Sequence, residues 1–405
     1  MPLGFRAGAA AAGIKPSGRP DLGILATTGE PASAAAVYTA NAFAAAPIRL
    51  SRAHLAASGG RVAAVLATSG CANAATGPEG DQDQAELAAV LAGALGIAPD
   101  LTLALSTGII GTRLPVDLLR RPIMDLADNL AATDDGLAAL AEQICTTDSR
   151  PKSASVEIEL PVGSTPSGPI RVAGIAKGVG MIHPNMATML AVLLTDARVE
   201  PVTLQSMLQP IVDRTWNQLT VDGDTSTNDT VFLLASGAAQ GGPIEAGSPV
   251  AARLAEGIQA VARSLARQQA ADGEGATTLI TCQVSGGRSD EEARAVARSV
   301  VASSLVKAAV HGRDPNWGRV AAAIGNARTD GGAVVVAENA LAIAIGGVPV
   351  FEGKPRTFDR PIVADRMAAP EVVIRVDLGQ GIGVGEAFGC DLSPEYVIEN
   401  SAYST

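Results

Sequence analysis

The segment that begins at Lys177 constrains this chain more than any other part of its sequence. It runs Lys-Gly-Val-Gly-Met-Ile-His-Pro-Asn-Met-Ala-Thr-Met-Leu and continues as apolar residues to Leu194. The glycines and the proline predict a loop, and the apolar run that follows predicts a buried strand. Thr188 therefore lies at the junction of loop and strand, directly after the small residue Ala187.

A threonine at this junction has two interpretations. It can be an ordinary residue at the start of a buried strand. Alternatively, its hydroxyl attacks the carbonyl of Ala187, the resulting ester is hydrolysed, and Thr188 becomes a new N-terminus. The freed α-amine has a pKa of about 7.7–8.0, so it can accept the proton of the neighbouring hydroxyl near neutral pH. The segment by itself does not decide between the two.

The composition argues against several classes of function. The chain has 405 residues, of which 47% are hydrophobic, enough to form one large or two medium cores. The net charge of −11 argues against a nucleic-acid partner, because nucleic-acid binding requires a basic surface. No apolar stretch is long enough to span a membrane, and the Ala-rich start is too short for a targeting segment.

The cysteines and histidines are scattered along the chain. No two cysteines have the spacing of a zinc site or a redox dithiol, so we expect no metal and a reduced, cytoplasmic protein. The few histidines give little support to a Ser-His-Asp triad, whereas an N-terminal threonine needs no histidine. The Gly-rich run 379–385 lacks the spacing of a dinucleotide fingerprint, and no phosphate-loop motif is present, which argues against NAD and ATP. The cysteines and histidines are Cys71, Cys145, Cys282, Cys390, His54, His183 and His311.

Hydrophobic periodicity predicts an α/β fold with mixed sheets, because segments typical of strands alternate with segments typical of helices. No linker divides the chain, so we expect the two products of a cleavage, 1–187 and 188–405, to be interleaved and not separate domains. The predicted strands are 63–67, 101–105, 156–160, 192–194, 231–234, 278–284 and 372–376, and the predicted helices are 84–95, 137–144, 204–219, 251–269 and 290–309.

The segment around Thr188 resembles the self-cleavage motif of the ornithine acetyltransferase (glutamate N-acetyltransferase) family, Lys-Gly-x-Gly-Met-x-x-Pro-x-x-Ala-Thr-Met-Leu. Further blocks in the family's order extend the resemblance over nearly the whole chain. The resemblance implies a self-processed fold of the N-terminal-nucleophile type and favours Thr188 as the nucleophile. The further blocks are 4–6, 12–15, 69–73, 106–111, 146–152, 222–229, 272–275, 314–319 and 399–403.

The resemblance also implies roles for individual residues. Thr107 and Gly108 would form an oxyanion hole at the end of a predicted strand, from a hydroxyl and a backbone N–H. Lys177 would pair with a substrate carboxylate, and Glu274 with the side-chain amine of ornithine. The full set of substrate-binding residues implied by the resemblance is Thr146, Lys177, Thr188, Glu274, Asn400 and Thr405.

The same segments also have purely structural interpretations. The segment Ser106-Thr-Gly fits a turn at the end of a strand. Lys177 fits a solvated cation in a loop, and Glu274 fits a turn or a helix cap. These interpretations come from the residues alone and stay open until the positions of the side chains are known.

The sequence departs from the family pattern in two places, and one polar segment needs a separate interpretation. The family commonly has Asn at the position of Thr68 and often has Lys at the position of Thr278.

The segment 222–229 faintly resembles a calcium loop, but Thr227 replaces the turn glycine and Leu233 replaces the bidentate glutamate. We therefore expect a metal-free polar turn near the site.

The function that the resemblance implies is acetyl transfer from N-acetyl-L-ornithine to L-glutamate through an acetyl-Thr188 ester, in arginine biosynthesis. Some members of the family also use acetyl-CoA as a donor, and the sequence does not decide whether this chain does; no other cofactor is expected. The family suggests an α2β2 heterotetramer of the two fragments. Two alternatives stay open: a self-processed aminopeptidase or amidase, in which water resolves the acyl-enzyme, and a small-molecule binder that never cleaves.

Overall fold

The computed structural model describes residues 1–160, 168–183, 189–239 and 241–402. Three residues that the sequence singled out, Ala187, Thr188 and Thr405, lie outside these ranges. The described residues form an α/β fold with mixed sheets, which confirms the predicted fold class.

The strands and helices follow one another along the whole chain. The strands are β1 (Phe5–Ala10), β2 (Leu22–Thr27), β3 (Ala32–Tyr38), β4 (Arg61–Val62), β5 (Ala64–Cys71), β6 (Thr102–Ile109), β7 (Lys152–Ile158), β8 (Ile170–Lys177), β9 (Leu190–Thr195), β10 (Thr230–Ala235), β11 (Leu279–Gly287), β12 (Arg328–Thr329), β13 (Gly332–Ala333), β14 (Ala342–Ile345), β15 (Val348–Glu352), β16 (Glu371–Asp377) and β17 (Gly383–Cys390). The helices are α1 (Ala46–Ala57), α2 (Gly77–Leu95), α3 (Val116–Ala127), α4 (Asp134–Gln143), α5 (Pro201–Arg214), α6 (Pro249–Ala271), α7 (Asp290–Ala302), α8 (Ser304–His311), α9 (Trp317–Gly325), α10 (Arg360–Arg366) and α11 (Pro394–Ala402).

The described strands form three larger sheets and a small ribbon of β12 and β13. The first sheet has the order β1-β2-β5-β6, in which β5 and β6 are parallel. The second has the order β4-β3-β10-β9-β8-β7, in which β9 and β10 are parallel. The third has the order β15-β14-β16-β11-β17, in which β11 and β16 are parallel. Each larger sheet is therefore mixed, with one parallel pair among antiparallel strands.

The first two sheets pack face to face. Their shared core contains Leu103 and Leu105 from the first sheet and Val192 and Phe232 from the second. Helices α2 and α3 cover the outer face of the first sheet, and α5 and α6 cover the outer face of the second. The third sheet packs against α7 to α10 around a separate core. The result is a helix–sheet–sheet–helix sandwich with a second α/β unit, and the burial of apolar side chains between the layers stabilises it.

Every predicted strand and helix overlaps an element of the structure, but two helix predictions were wrong in extent. Helix α5 ends at Arg214, because Thr215 leaves the helical region (φ −124°, ψ −84°), and a 3-10 turn follows it. The predicted helix 290–309 is divided at Ser303, whose backbone is extended. The Ser303 hydroxyl accepts the N–H of Val306 (3.3 Å) and so caps α8, which is a common role for serine.

Strands from both sides of residue 187 meet in the second sheet. Strand β8, which ends at Lys177, pairs antiparallel with β9, which starts at Leu190. Strand β10 lies between β9 and β3. The ends of β6 and β8 and the segment before β10 converge at one edge between the two packed sheets, and a cavity opens there.

Candidate active site

All the described residues that were expected to form the site line this one cavity, which has a volume of about 80 Å³. They come from elements that are far apart in the sequence: the end of β6, the loop after α4, the end of β8, the turn after α6, and α11. The fold therefore brings the candidate residues together. They are Thr107, Gly108, Thr146, Lys177, Glu274 and Asn400.

Thr107 and Gly108 occupy a rigid strand end. Gly108 has a φ of +128°, and a Cβ added to it would lie 2.3 Å from the carbonyl carbon of Gly70, so only glycine fits beside the backbone of β5. The side-chain amide of Asn228 donates to the carbonyl of Ser106 (2.8 Å) and fixes the end of β6. Asn228 also lines the cavity, although the sequence did not single it out. A hydroxyl and a backbone N–H held in this way are suited to polarise a carbonyl oxygen.

Lys177 is the last residue of β8, whereas the sequence placed it in the Gly-rich loop. It is 4% exposed, so the interpretation as a solvated cation was wrong. Its Nζ donates to the hydroxyl oxygens of Thr146 (2.7 Å) and Thr107 (3.3 Å) and lies 3.7 Å from the Asp148 carboxylate. A buried ammonium with hydroxyl neighbours can bind a carboxylate that enters the cavity, because little water competes for it.

Asp148 links Lys177 to a second buried lysine. Its carboxylate accepts hydrogen bonds from Lys152 Nζ (2.7 Å) and from the N–H of Gly178 (2.9 Å). Lys152 is fully buried and also pairs with Asp272 (2.6 Å). Burial raises the pKa of Asp148, but the charges of Lys177 and Lys152 outweigh it and bring this pKa down to about 2. Two carboxylates thus offset the charges of two lysines at the wall of the cavity.

Asp148→Asn is expected to destabilise the protein, because it leaves Lys152 and Lys177 with less compensating charge. Breaking a buried ion pair costs about 3–5 kcal/mol of unfolding free energy. The folded-state pKa of Asp148 lies below its ordinary value of 3.8, so its contribution is present above about pH 4 and is lost as the pH falls toward 2. Chemical denaturation of both proteins between pH 2 and 6 measures this difference.

The surface variant Asp125→Asn is the matched control, because Asp125 makes an exposed pair with Arg121. We expect it to change the unfolding free energy by less than about 1 kcal/mol. If Asp148→Asn lowers stability by the same amount at pH 2 and at pH 6, the low pKa assigned to Asp148 is wrong.

Glu274 presents its carboxylate to the cavity. It accepts hydrogen bonds from the Thr147 hydroxyl (2.8 Å) and from the Asn400 side-chain amide (2.9 Å). Among the residues that the structure describes, no cation lies within ion-pair distance of it. Thr278, at the position where the family often has Lys, donates its N–H to Asp391 (2.9 Å) and does not line the cavity. The carboxylate is therefore available to a cationic ligand.

The polar segment 222–229 forms one wall of the cavity. Asp222 accepts the backbone N–H groups of Met181 and Ile182 (2.8 Å for Ile182), which fixes the chain between β8 and the junction. Asp229 is fully buried and accepts the N–H of Met189 (2.9 Å). Within the described ranges, no group of three or more potential ligands could hold a metal ion. The segment is a polar stretch at the wall of the cavity, close to the residues expected to form the site.

The other departure from the family pattern, Thr68, is buried on β5. Its hydroxyl shares a hydrogen bond of 2.8 Å with the hydroxyl of Ser106. Thr68 therefore supports the strand end that carries Thr107, but it does not line the cavity itself.

Comparison with known proteins gives a consistent result. The ArgJ family model matches residues 6–405. The arginine biosynthesis bifunctional protein ArgJ of Thermus thermophilus is 46% identical over 407 residues, which cover 100% of this chain and 99% of that protein. The protein of the same name from Thermosynechococcus vestitus is 46% identical over 418 residues, which cover 99% and 96%.

A solved structure agrees with these relatives. The arginine biosynthesis bifunctional protein argJ from Bacillus halodurans is 40% identical, with a TM-score of 0.50 over 52% of this chain and 98% of that chain. The family model spans nearly the whole sequence, and the relatives match over almost their full length. This chain therefore belongs to the ArgJ family.

Proposed function

We propose that the protein is an acetyltransferase of arginine biosynthesis, which moves the acetyl group of N-acetyl-L-ornithine to L-glutamate through an ester of Thr188. The observation that carries this proposal is that Lys177 and Glu274, two side chains of opposite charge, line the same cavity. An ornithine derivative presents a carboxylate to a lysine and an ammonium to a glutamate, so the two charges fit a diamino acid. The names of the relatives assign those proteins to arginine biosynthesis.

The chemistry proceeds in two steps. In the first, Thr188 Oγ attacks the acetyl carbon, and the Thr107 hydroxyl and the Gly108 N–H stabilise the negative charge on the acetyl oxygen. The α-amine of Thr188 takes the hydroxyl proton and passes it to the ornithine nitrogen as the C–N bond breaks. In the second step, the glutamate amine attacks the ester, the C–O bond breaks, and a proton from that amine returns to Thr188 Oγ.

Cleavage between Ala187 and Thr188 creates the nucleophile and gives chains 1–187 and 188–405. The pairing of β8 with β9 supports two interleaved chains, because these neighbouring strands lie on opposite sides of the cleaved bond. The solved Bacillus halodurans chain also matches only 52% of this chain over 98% of its own length, a size that fits one fragment. By resemblance, two copies of each fragment form an α2β2 heterotetramer.

The proposal includes a second acetyl donor. The relatives are named bifunctional, and acetyl-CoA is the donor that the family resemblance implies for the formation of N-acetylglutamate. None of the helices in the described ranges has both the length and the hydrophobicity that a bilayer crossing requires. All four cysteines are buried and unpaired, in keeping with the reducing cytoplasm that we propose as the location of the enzyme.

Glu274→Gln tests the assignment of substrate. We expect kcat/KM for N-acetylornithine to fall by about 10- to 100-fold, because a hydrogen-bonded charge pair with the side-chain ammonium is lost. Resolution of a preformed acetyl-enzyme by glutamate should change much less, because glutamate carries no side-chain cation. Steady-state kinetics give the first value, and single-turnover rates of the preformed acetyl-enzyme give the second.

The matched control is Glu395→Gln, which removes an exposed carboxylate from α11 that does not line the cavity. It should leave both half-reactions unchanged. An equal loss for the two substrates in the Glu274 variant would count against Glu274 as the partner of the amine. Rapid release of free acetate in the absence of glutamate would favour the hydrolase interpretation instead.

A further inference from the structure

A second cavity, of about 320 Å³, lies beside the first. The same short segment borders both of them: Met181 lines the first cavity and His183 lines the second. The second cavity is also lined by two arginines, Arg298 on α7 and Arg328 on β12. In a chain with a net charge of −11, such a concentration of basic side chains beside the candidate active site requires an explanation.

Arg298 is partly buried, yet its guanidinium makes no hydrogen bond or ion pair with any of the residues that the structure describes. Arg267, which is also partly buried, makes two hydrogen bonds to Glu371. Burial lowers the pKa of Arg298, and the charge of Asp330 opposes this effect without making an ion pair with it. A partly buried cation without a hydrogen-bonded partner is less stable than a paired one, and an anionic ligand would supply the missing charge.

His183 and Arg328 are held so that they face the same space. His183 Nδ1 lies 3.2 Å from the Thr220 hydroxyl, which fixes the ring. Arg328 Nη1 donates to the carbonyl of Ala327 (3.0 Å). Burial and the charge of Arg298 both lower the pKa of His183, while Asp224 opposes them. The imidazole and the two guanidiniums together offer donors to an anion.

The chemistry of these side chains favours a phosphate group. Guanidinium binds phosphate through two parallel hydrogen bonds, and a phosphate dianion can accept from several donors at once. The first cavity is lined by the residues expected to contact an amino acid and by no arginine, so the phosphate groups of a larger donor would be bound outside it. A phosphate-bearing donor would need a second site within reach of the first.

We propose that the cavity formed by His183, Arg298 and Arg328 binds the phosphate groups of a coenzyme A thioester whose acetyl end enters the first cavity. This inference rests on the proposed function, in which such a thioester is the second donor. Inorganic phosphate has the same recognition chemistry, so the test distinguishes the free ion from the coenzyme.

The test uses the purified, processed enzyme and calorimetric titration with coenzyme A and, separately, with inorganic phosphate. Arg298→Ala is expected to weaken coenzyme A binding by about 10- to 100-fold, the effect of losing a charge-assisted pair. It should raise the KM for acetyl-CoA by a similar factor and change kcat/KM for N-acetylornithine less than about twofold. Arg298→Lys should restore part of the affinity. Arg294→Ala, which removes the same charge from the same helix but not from the cavity, should leave the affinity unchanged.

A spectroscopic measurement accompanies the titration. The chain has three histidines, so the ring signals of His183 can be assigned by comparison with His183→Gln. Bound coenzyme A should raise the pKa of His183, because a nearby phosphate stabilises the protonated ring. An unchanged pKa and an unchanged affinity in Arg298→Ala would overturn the inference.

Two further outcomes would also contradict the inference that this cavity binds the coenzyme. If inorganic phosphate binds as tightly as coenzyme A and blocks it, the cavity is a free-phosphate site and the assignment to the coenzyme is wrong. If coenzyme A does not bind but acetyl transfer from N-acetylornithine is normal, the inference fails while the proposed function for the ornithine reaction stands.

Discussion

Thr188→Ala is expected to leave the protein as a single band of full length, 40.7 kDa, on a denaturing gel. The wild-type chain should give two bands of about 19 and about 22 kDa, in proportion to 187 and 218 residues. The variant lacks the hydroxyl that attacks the Ala187 carbonyl, so the bond stays intact and no free α-amine forms. Acetyl transfer should fall by about 10⁴-fold or more, because both nucleophile and base are lost.

Thr188→Ser is the control, because it keeps the hydroxyl and removes only a methyl group. It should still be cleaved, more slowly, since the unbranched side chain is less fixed at χ1. N-terminal sequencing of the smaller and larger fragments identifies the cleaved bond. Cleavage of Thr188→Ala between residues 187 and 188 would show that another group is the nucleophile.

Thr107→Ala is expected to lower kcat by about 10²- to 10³-fold, which is the typical effect of removing one oxyanion donor. The protein should stay folded, because Lys177 keeps its shorter hydrogen bond to Thr146 (2.7 Å) and Asn228 still fixes the strand end. Cleavage should also slow, since the maturation step forms a similar oxyanion. Initial rates and the time course of cleavage on gels measure the two effects.

Thr107→Ser serves as the matched variant, because it retains the hydroxyl at the same position. We expect at least part of the rate to return. Nearly normal turnover in Thr107→Ala would mean that the end of β6 has a purely structural role.

Part of the sandwich could be predicted from the sequence, because several of its strands are continuous apolar runs. Strands β9 and β10 are of this kind and were found from their patterns alone. The Ala-rich strand β3 and the Gly-rich strand β17 were missed, because small residues carry little strand preference of their own. Their place in the sheets is decided by pairing with neighbours, for example of β3 with β10, which lies about 190 residues later in the chain.

For the candidate site, too, some residues could be found from local motifs, and others only from contacts between distant parts of the chain. Motifs in the sequence located Thr107, Lys177 and Glu274, and the fold places all three in one cavity. The part that the sequence did not reveal is the network of Asp148 with the buried Lys152, because nothing local shows that these side chains are buried. Asp148 stands two residues after Thr146, so its place within a recognised motif was a sign that it lies near the site.

The second cavity depends even more on the fold. His183 and Arg298 are separated by more than a hundred residues, and no spacing between them predicts that they meet. The packing of α7 near the described segment 178–183 brings them together.

The central claim is that acetyl transfer passes through an ester of Thr188. Mass spectrometry of the fragment that begins at Thr188, after incubation with N-acetylornithine alone, should show one added acetyl group of about 42 Da. Addition of glutamate should remove this mass and release N-acetylglutamate, whereas water should remove it slowly. A fragment of unchanged mass, under conditions in which N-acetylglutamate is still produced once glutamate is present, would contradict the account.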